Sequence, residues 1–238
     1  MTQPEVEELA GRLAAVRGRI AAAARRAGRD PAEVTLVGVT KRVPAGRVAA
    51  AVRAGLLDLG ESYVQEAGPK IADVTRTVGN EPRWHLVGRL QRNKAKEAVR
   101  LFQVVESVDR ADLARELARR AEAAGRRLDF LLQVNVSGDR QKGGAGPEEL
   151  ADLLAACAAL PALRVRGLMT VPAAGPDPEA ARPAFARLRA LRDELRATPA
   201  GTGLHHLSMG MSADFEVAVE EGATIVRVGT ALFGPRAA

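Results

Sequence analysis

Val34-Thr35-Leu36-Val37-Gly38-Val39-Thr40-Lys41 is a run of β-branched and apolar residues that ends in a lysine. Such a run reads as a short buried strand. The chain holds five lysines, at 41, 70, 94, 96 and 142, and arginine supplies the other 30 of its 35 basic residues. A lysine at the end of an apolar strand can be held partly desolvated. Its pKa then falls, and the neutral amine becomes a usable nucleophile. Two readings stand at this point: a lysine that holds an aldehyde cofactor as a Schiff base, or a strand-end lysine reaching into water.

Outward from this strand the pattern repeats. Upstream, Val6, Leu9, Leu13, Val16 and Ile20 recur at steps of three and four, which predicts a helix over 4–28. Downstream, short apolar segments at 56–60, 84–88, 104–108, 128–136, 163–171, 206–209 and 225–229 read as seven further strands. Helical patterns separate them, for example over 44–54, 110–124 and 212–221. Strands alternating with helices imply parallel βαβ units, and eight of them in 238 residues predict a closed (β/α)8 TIM barrel, one α/β domain over 1–238. Only nine residues follow the eighth strand, so the N-terminal helix is expected to close the outer ring in place of an eighth helix. The alternative is an open doubly wound sheet. No GxGxxG fingerprint or Walker loop follows the first strand, which weakens it.

Composition narrows the function classes. The net charge of +6 invites a nucleic-acid reading, but the arginines are interleaved with acids along helical segments such as 112–120, and no aromatic-plus-basic platform appears. Nucleic acid is therefore not expected as a partner. No run of about 18 apolar residues occurs and the N-terminus lacks a signal-peptide pattern, so no membrane association is expected and the protein is read as cytoplasmic. The single cysteine, Cys157, lies in an Ala/Leu-rich helix and reads as a small core residue.

In a barrel the active face lies at the C-terminal ends of the strands, where Lys41 falls by position. Period-two alternation puts Lys41, Val39 and Val37 on one face and Leu36, Gly38 and Thr40 on the other, toward the helices. The segment 207–216, Leu-Ser-Met-Gly-Met-Ser-Ala-Asp-Phe-Glu, reads as a strand end, a glycine turn and a serine N-cap. Bare N–H groups there, with Ser208 and Ser212, make a phosphate site, or simply cap a helix. Gly229 and Thr230 end the eighth strand with similar chemistry, and barrels often bind phosphate with their last two loops. Arg227 lies inside an apolar strand, in register with Ile225 and Gly229, and needs a partner there. It is either a structural ion pair or a donor to the ring nitrogen of a pyridoxal cofactor. A permanently cationic arginine would keep that nitrogen unprotonated and make the ring a weak electron sink.

These segments resemble the pyridoxal-phosphate homeostasis protein family nearly end to end. The matching stretches are 36–41 (Leu-Val-Gly-Val-Thr-Lys), 60–66 (Gly-Glu-Ser-Tyr-Val-Gln-Glu), 84–94 (Trp-His-Leu-Val-Gly-Arg-Leu-Gln-Arg-Asn-Lys), 133–137, 166–169, 207–216 and 226–234 (Val-Arg-Val-Gly-Thr-Ala-Leu-Phe-Gly). That family is similar to the barrel domain of alanine racemase but lacks its second β domain. The resemblance implies that pyridoxal 5′-phosphate is held as an internal aldimine on Lys41, with Ser208, Met211, Ser212, Gly229 and Thr230 around the phosphate and Arg227 at the ring nitrogen. Met169 and His85 are expected to line the pocket. Ser62 stands where the family usually has Asn, and Gln141 replaces a common Ser before Lys142.

The function so implied is buffering or delivery of the cofactor in vitamin B6 homeostasis, without turnover, with pyridoxal-phosphate-dependent apoenzymes as candidate recipients. The rival is a pyridoxal-phosphate-dependent amino-acid racemase or decarboxylase. In racemases of this barrel type a tyrosine from an additional domain supplies the second base, and this chain has only Tyr63. A third class is a barrel binding a sugar phosphate. Lys142 is open as a solvated loop lysine or one that accepts or hands on cofactor, Lys94 as a loop lysine or an anion contact, His205-His206 has no metal-ligand spacing, and a monomer is expected.

Overall fold

The computed structural model describes residues 3–79, 82–138, 143–172, 175 and 177–235. Eight parallel strands close one barrel: β1 (Thr35–Val39), β2 (Asp58–Glu61), β3 (Arg83–Leu86), β4 (Val104–Val108), β5 (Leu128–Gln133), β6 (Leu163–Met169), β7 (His206–Ser208) and β8 (Ile225–Val228). Each pairs with the next, and β1 pairs back to β8 with Val37 opposite Arg227. The open doubly wound alternative is thereby excluded. Several strands, β1, β3, β5, β6, β7 and β8, end before their apolar runs do, because the last residues of those runs turn out of the ladder to form the loops of the C-terminal face.

The helices are α1 (Gln3–Arg26), α2 (Ala45–Arg53), α3 (Val64–Val78), α4 (Ala95–Leu101), α5 (Ala111–Ala123), α6 (Leu150–Ala158), α7 (Arg182–Arg196), α8 (Phe215–Glu220) and the four-residue α9 (Thr230–Phe233). The stripe Leu9, Leu13, Val16 and Ile20 is buried as the periodicity requires, extended by Ala23 and Ala24. It packs α1 against α8, α2 and α9, so the first helix fills the place that the short α9 leaves open. Arg19 reinforces the seam: it pairs with Glu216 at 2.6 Å and lies over the Phe215 ring.

Two apolar layers result. The larger one lies between barrel and helices and holds the outward residues of the strands, such as Leu36, Leu59, Trp84 and Val105. A small second cluster fills the lumen: Val37, Leu131, Met169 and Ile225. Val37 inside and Leu36 outside follow the predicted alternation. Cys157 is fully buried among the helices, and burial pushes its thiol up to about 12, which makes it inert. No described helix is long and apolar enough to cross a membrane.

Candidate functional site

Lys41 follows β1 by two residues. The residue between them anchors it. Thr40 is fully buried, its amide donates to Gly60 O at 2.8 Å, and its hydroxyl donates to Glu61 Oε1 at 2.6 Å. Lys70 of α3 completes the clamp, donating to Thr40 O at 2.7 Å and pairing with the buried Glu61 carboxylate at 2.6 Å. Arg42, immediately after Lys41, is left-handed at φ 59°, a conformation that costs a non-glycine residue about 1 kcal/mol or more. The clamp on one side and the strained turn on the other fix the base of the lysine at the barrel mouth.

Lys41 lines a cavity of about 610 Å³ at the C-terminal ends of the strands, together with Val39, Ser62, Arg227, Gly229 and Thr230. Met211, Ser212, Ala213 and Val171 face it from the loops after β7 and β6. Seven of the ten residues expected at the site therefore converge here: Lys41, Ser62, Met211, Ser212, Arg227, Gly229 and Thr230. Ser62 reaches the cavity because Gly88 lies against its backbone, where a Cβ would overlap the Ser62 carbonyl. Ser62, Tyr63 and Arg89 also border a neighbouring basic cavity of about 780 Å³, whose wall includes Arg92, Lys94 and Arg110. Gln141 and Lys142 lie outside the described residues.

The loop after β7 differs from its expected form. Ser212 does not open a helix: α8 starts at Phe215 with Asp214 as its N-cap, because the Asp214 carboxylate takes the Met211 amide at 2.6 Å and holds a turn before the helix. Ser212 instead staples the two last loops together. Its hydroxyl accepts from the amides of Gly229 and Ala231, each at 3.3 Å. The amides of Ser212, Ala213 and Thr230 donate to no acceptor among the described residues. They form a bare N–H cradle beside two hydroxyls, the chemistry an anion needs.

Three expected lining residues lie elsewhere. β7 pairs with β8 with Ser208 opposite Ile225, one inward step below Arg227, so Ser208 is buried beneath the cavity floor and not at the phosphate cradle. Met169 pairs with Ser208 and joins the apolar lumen cluster. His85 is 1% exposed, and both its ring nitrogens are taken by carboxylates.

These displaced residues belong to one buried polar chain. Arg227 Nη1 donates to Ser208 Oγ at 2.6 Å, and Nη2 donates to Thr170 O at 2.8 Å. Ser208 Oγ donates to Glu106 Oε2 at 2.6 Å. Glu106 Oε1 lies 2.7 Å from His85 Nδ1, and His85 Nε2 lies 3.1 Å from Asp58 Oδ1. Burial opposes charge on Glu106, but His85, Arg227 and Ser208 outweigh it and hold the carboxyl below its ordinary value. Burial likewise opposes charge on His85, and Asp58 and Glu106 together raise it. Burial lowers Arg227 against the pull of Glu106 and Asp214, and a guanidinium so lowered is still a cation. Sequence reasoning misses Glu106 and Asp58. Glu106 carried a signal, a carboxylate inside Val-Val-Glu-Ser-Val, of the same kind that singled out Arg227.

Residues 12–237 match the alanine racemase N-terminal domain family. The chain is 47% identical over 228 residues to the pyridoxal phosphate homeostasis protein of Pseudomonas aeruginosa, covering 96% of each, and 45% identical to that of Aquifex aeolicus, covering 94% of this chain and 97% of the relative. The chain belongs to the pyridoxal phosphate homeostasis protein family. Among solved members of this family's fold, PipY of Synechococcus elongatus with PLP bound superposes with a TM-score of 0.83 at 37% identity, over 95% of this chain and 100% of PipY. Alanine racemase of Clostridium difficile shares the barrel at a TM-score of 0.72 and 16% identity, and the chain covers 58% of it. The family members match this chain over nearly their full length, whereas the racemase extends well beyond it.

Proposed function

We propose that the protein binds pyridoxal 5′-phosphate as a Schiff base on Lys41 and buffers or delivers it, without turnover. One observation carries the reading: a strand-end lysine, a bare N–H cradle with two hydroxyls, and a buried guanidinium all face one cavity. The residues fit the group. Lys41 supplies the amine, which in its neutral form condenses with the aldehyde: a C=N bond forms and water leaves. Ser212, Thr230 and the amides of the last two loops are suited to the phosphate, with Met211 beside them. Arg227 uses two N–H donors within the protein, so others remain for the ring nitrogen. The names of the relatives and the PLP-bound PipY structure support the same assignment.

When bound, the cofactor would supply an electron sink, weaker with an arginine that leaves the ring nitrogen unprotonated than with a carboxylate that keeps it protonated. This argues against the racemase and decarboxylase alternatives. Tyr63, the chain's one tyrosine, is 48% exposed at the cavity rim. Release to pyridoxal-phosphate-dependent apoenzymes, a cytoplasmic location and a monomeric state complete the reading. For the last, Leu57 and Tyr63 are the large apolar residues exposed among the described ones, and they form no continuous face.

Borohydride reduction of the protein loaded with pyridoxal 5′-phosphate, followed by peptide mapping, tests the assignment. The adduct is expected on Lys41, with loss of the visible band in Lys41→Ala. An adduct on another lysine, or a band that survives the substitution, overturns it. Racemisation or decarboxylation of amino acids at enzyme-like rates would restore the enzyme reading.

A further inference from the structure

The buried chain Asp58–His85–Glu106–Ser208–Arg227 runs from one mouth of the barrel to the other. Asp58 is the first residue of β2 and its side chain is 24% exposed at the N-terminal face. Arg227 lines the cavity at the C-terminal face. The links between them are 2% exposed or less at the side chain or residue level, and every hydrogen bond lies between 2.6 and 3.1 Å. A barrel lumen is ordinarily filled by branched apolar side chains. Here four ionisable groups cross it, and a buried charge is tolerated only when paired and hydrogen-bonded.

The order of the groups gives the chain its character. Signs alternate: carboxylate, imidazole, carboxylate, guanidinium. With His85 protonated the four charges cancel. With His85 neutral, one negative charge is left uncompensated in the lumen. The guanidinium is the only member of the chain that reaches the cavity, and its orientation is set by Ser208 and the Thr170 carbonyl.

We propose that Glu106 and His85 are positioning residues for Arg227, holding its free N–H donors toward the cavity and setting the electrostatic potential at the ring nitrogen of the bound cofactor. This rests on the pyridoxal 5′-phosphate reading above. Neither residue touches the cavity. Glu106 acts through Ser208 and its charge, and His85 acts through Glu106. The groups facing His85 are Asp58 from β2 and Glu106 from β4, with Ser208 of β7 and Arg227 of β8 beyond them. Asp58 gives this interior chain a partly exposed end on the face opposite the cofactor.

The two residues predict shifts of opposite sign. In Glu106→Gln the hydrogen-bonding shape is kept, His85 keeps Asp58 as its carboxylate partner, and Arg227 loses its nearest anion. The potential at the cavity becomes more positive. In His85→Gln the Glu106 and Asp58 charges stay and the cation between them goes, so the potential becomes more negative. The experiment loads full-length protein with pyridoxal 5′-phosphate and titrates the visible band of the bound cofactor against pH. The midpoint is expected to fall in Glu106→Gln and to rise in His85→Gln, each by about half a pH unit or more, roughly threefold in the ratio of the two forms. Asp129→Asn removes a carboxylate that pairs with Arg164 at 2.6 Å near the same N-terminal face and is expected to leave the midpoint unchanged.

Wild-type protein that develops no visible band removes the cofactor reading itself. Wild-type protein that loads normally, with both variants titrating at the wild-type midpoint or moving in the same direction, overturns the positioning role and leaves cofactor binding intact. Should Glu106→Gln not fold, His85→Gln decides alone: a raised midpoint supports the proposal, and an unchanged or lowered one overturns it.

Discussion

The Glu106 carboxylate and the Arg227 guanidinium stand 4.0 Å apart in the closed lumen, joined by the single hydroxyl of Ser208. Ser208 donates to one and accepts from the other, so each charge depends on it for a hydrogen bond. Removing one partner of a buried ion pair leaves the other uncompensated and costs about 3–5 kcal/mol. Glu106→Ala is therefore expected to lose about that much in urea unfolding. Ser208→Ala strips one bond from each ion and is expected to cost about 1–3 kcal/mol. A Glu106→Ala protein as stable as wild type would show that the lumen charges are not held as a pair.

The same chain sets a pH dependence. His85 has its folded value raised above its ordinary 6.5, so its contribution is full below that range and is lost as pH rises through the folded value. Glu106 is held below its ordinary 4.5, so its contribution is full above that range and is lost as pH falls through its lowered folded value. Stability should peak between the two limbs. The alkaline limb belongs to His85 and should flatten in His85→Gln, read as Tm against pH. An alkaline limb of unchanged slope in that variant assigns the loss to another group.

Much of this arrangement is legible along the chain, and the part that is not has one cause. Period-two alternation tells which side chains point into a barrel, and it places Val37 and Arg227 inward, as found. It does not tell how deep each strand sits along the axis. Depth follows from the register between neighbours, and the pairing of Ser208 with Ile225 drops β7 one step below Arg227. Ser208, placed at the phosphate from sequence, and Met169 and His85, implied as pocket residues by the resemblance, are all buried and do not border the cavity. The start of α8 is illegible for a different reason: Ser212 and Asp214 are both good caps, and the choice between them depends on the Met211 amide that Asp214 captures.

Lys70 and Glu61 supply a second test of buried charge, outside the barrel wall. Glu61 is fully buried and Lys70 nearly so, and both bond to Thr40, directly below Lys41. Lys70→Met is expected to cost about 3–5 kcal/mol, because it leaves the carboxylate without its cation. Adding Glu61→Leu should recover much of that loss, since two apolar groups replace two ions. A double variant less stable than Lys70→Met alone would mean that the pair contributes more by its hydrogen bonds than its burial costs. Adduct formation at Lys41 should slow in the single variant, because Thr40 loses one of its anchors.

Ser212→Ala separates phosphate recognition from capture of the aldehyde. The hydroxyl accepts two loop amides and faces the cavity, and losing it removes about 1–1.5 kcal/mol of hydrogen bonding. The dissociation constant for pyridoxal 5′-phosphate is expected to rise roughly tenfold, while that for pyridoxal, which has no phosphate, stays the same. Equal weakening of both ligands would place the serine's effect at the lysine end of the cavity.

Gly210 connects β7 to the cradle, and its two constraints can be weighed against each other. Its φ is +91°, and a Cβ there would lie 2.9 Å from Phe215 Cα and 2.5 Å from Ala218 Cβ, both on the helix that follows. Its carbonyl also accepts the Arg227 amide at 2.9 Å. Gly55 offers the comparison: its φ is +97°, but a Cβ there would meet only the Arg17 guanidinium, at 3.8 Å. Gly55→Ala therefore carries the backbone cost alone, about 1–2 kcal/mol. Gly210→Ala carries that cost plus overpacking of about 1–3 kcal/mol, and α8 must move to relieve it. The movement would displace Met211 and Ser212 and misalign Arg227 through the shared hydrogen bond. Gly210→Ala should then weaken pyridoxal 5′-phosphate binding by more than Ser212→Ala does, whereas Gly55→Ala should leave binding unchanged at equal folded fraction. Equal binding by the two glycine variants would mean that the cradle keeps its geometry independently of the turn that carries it.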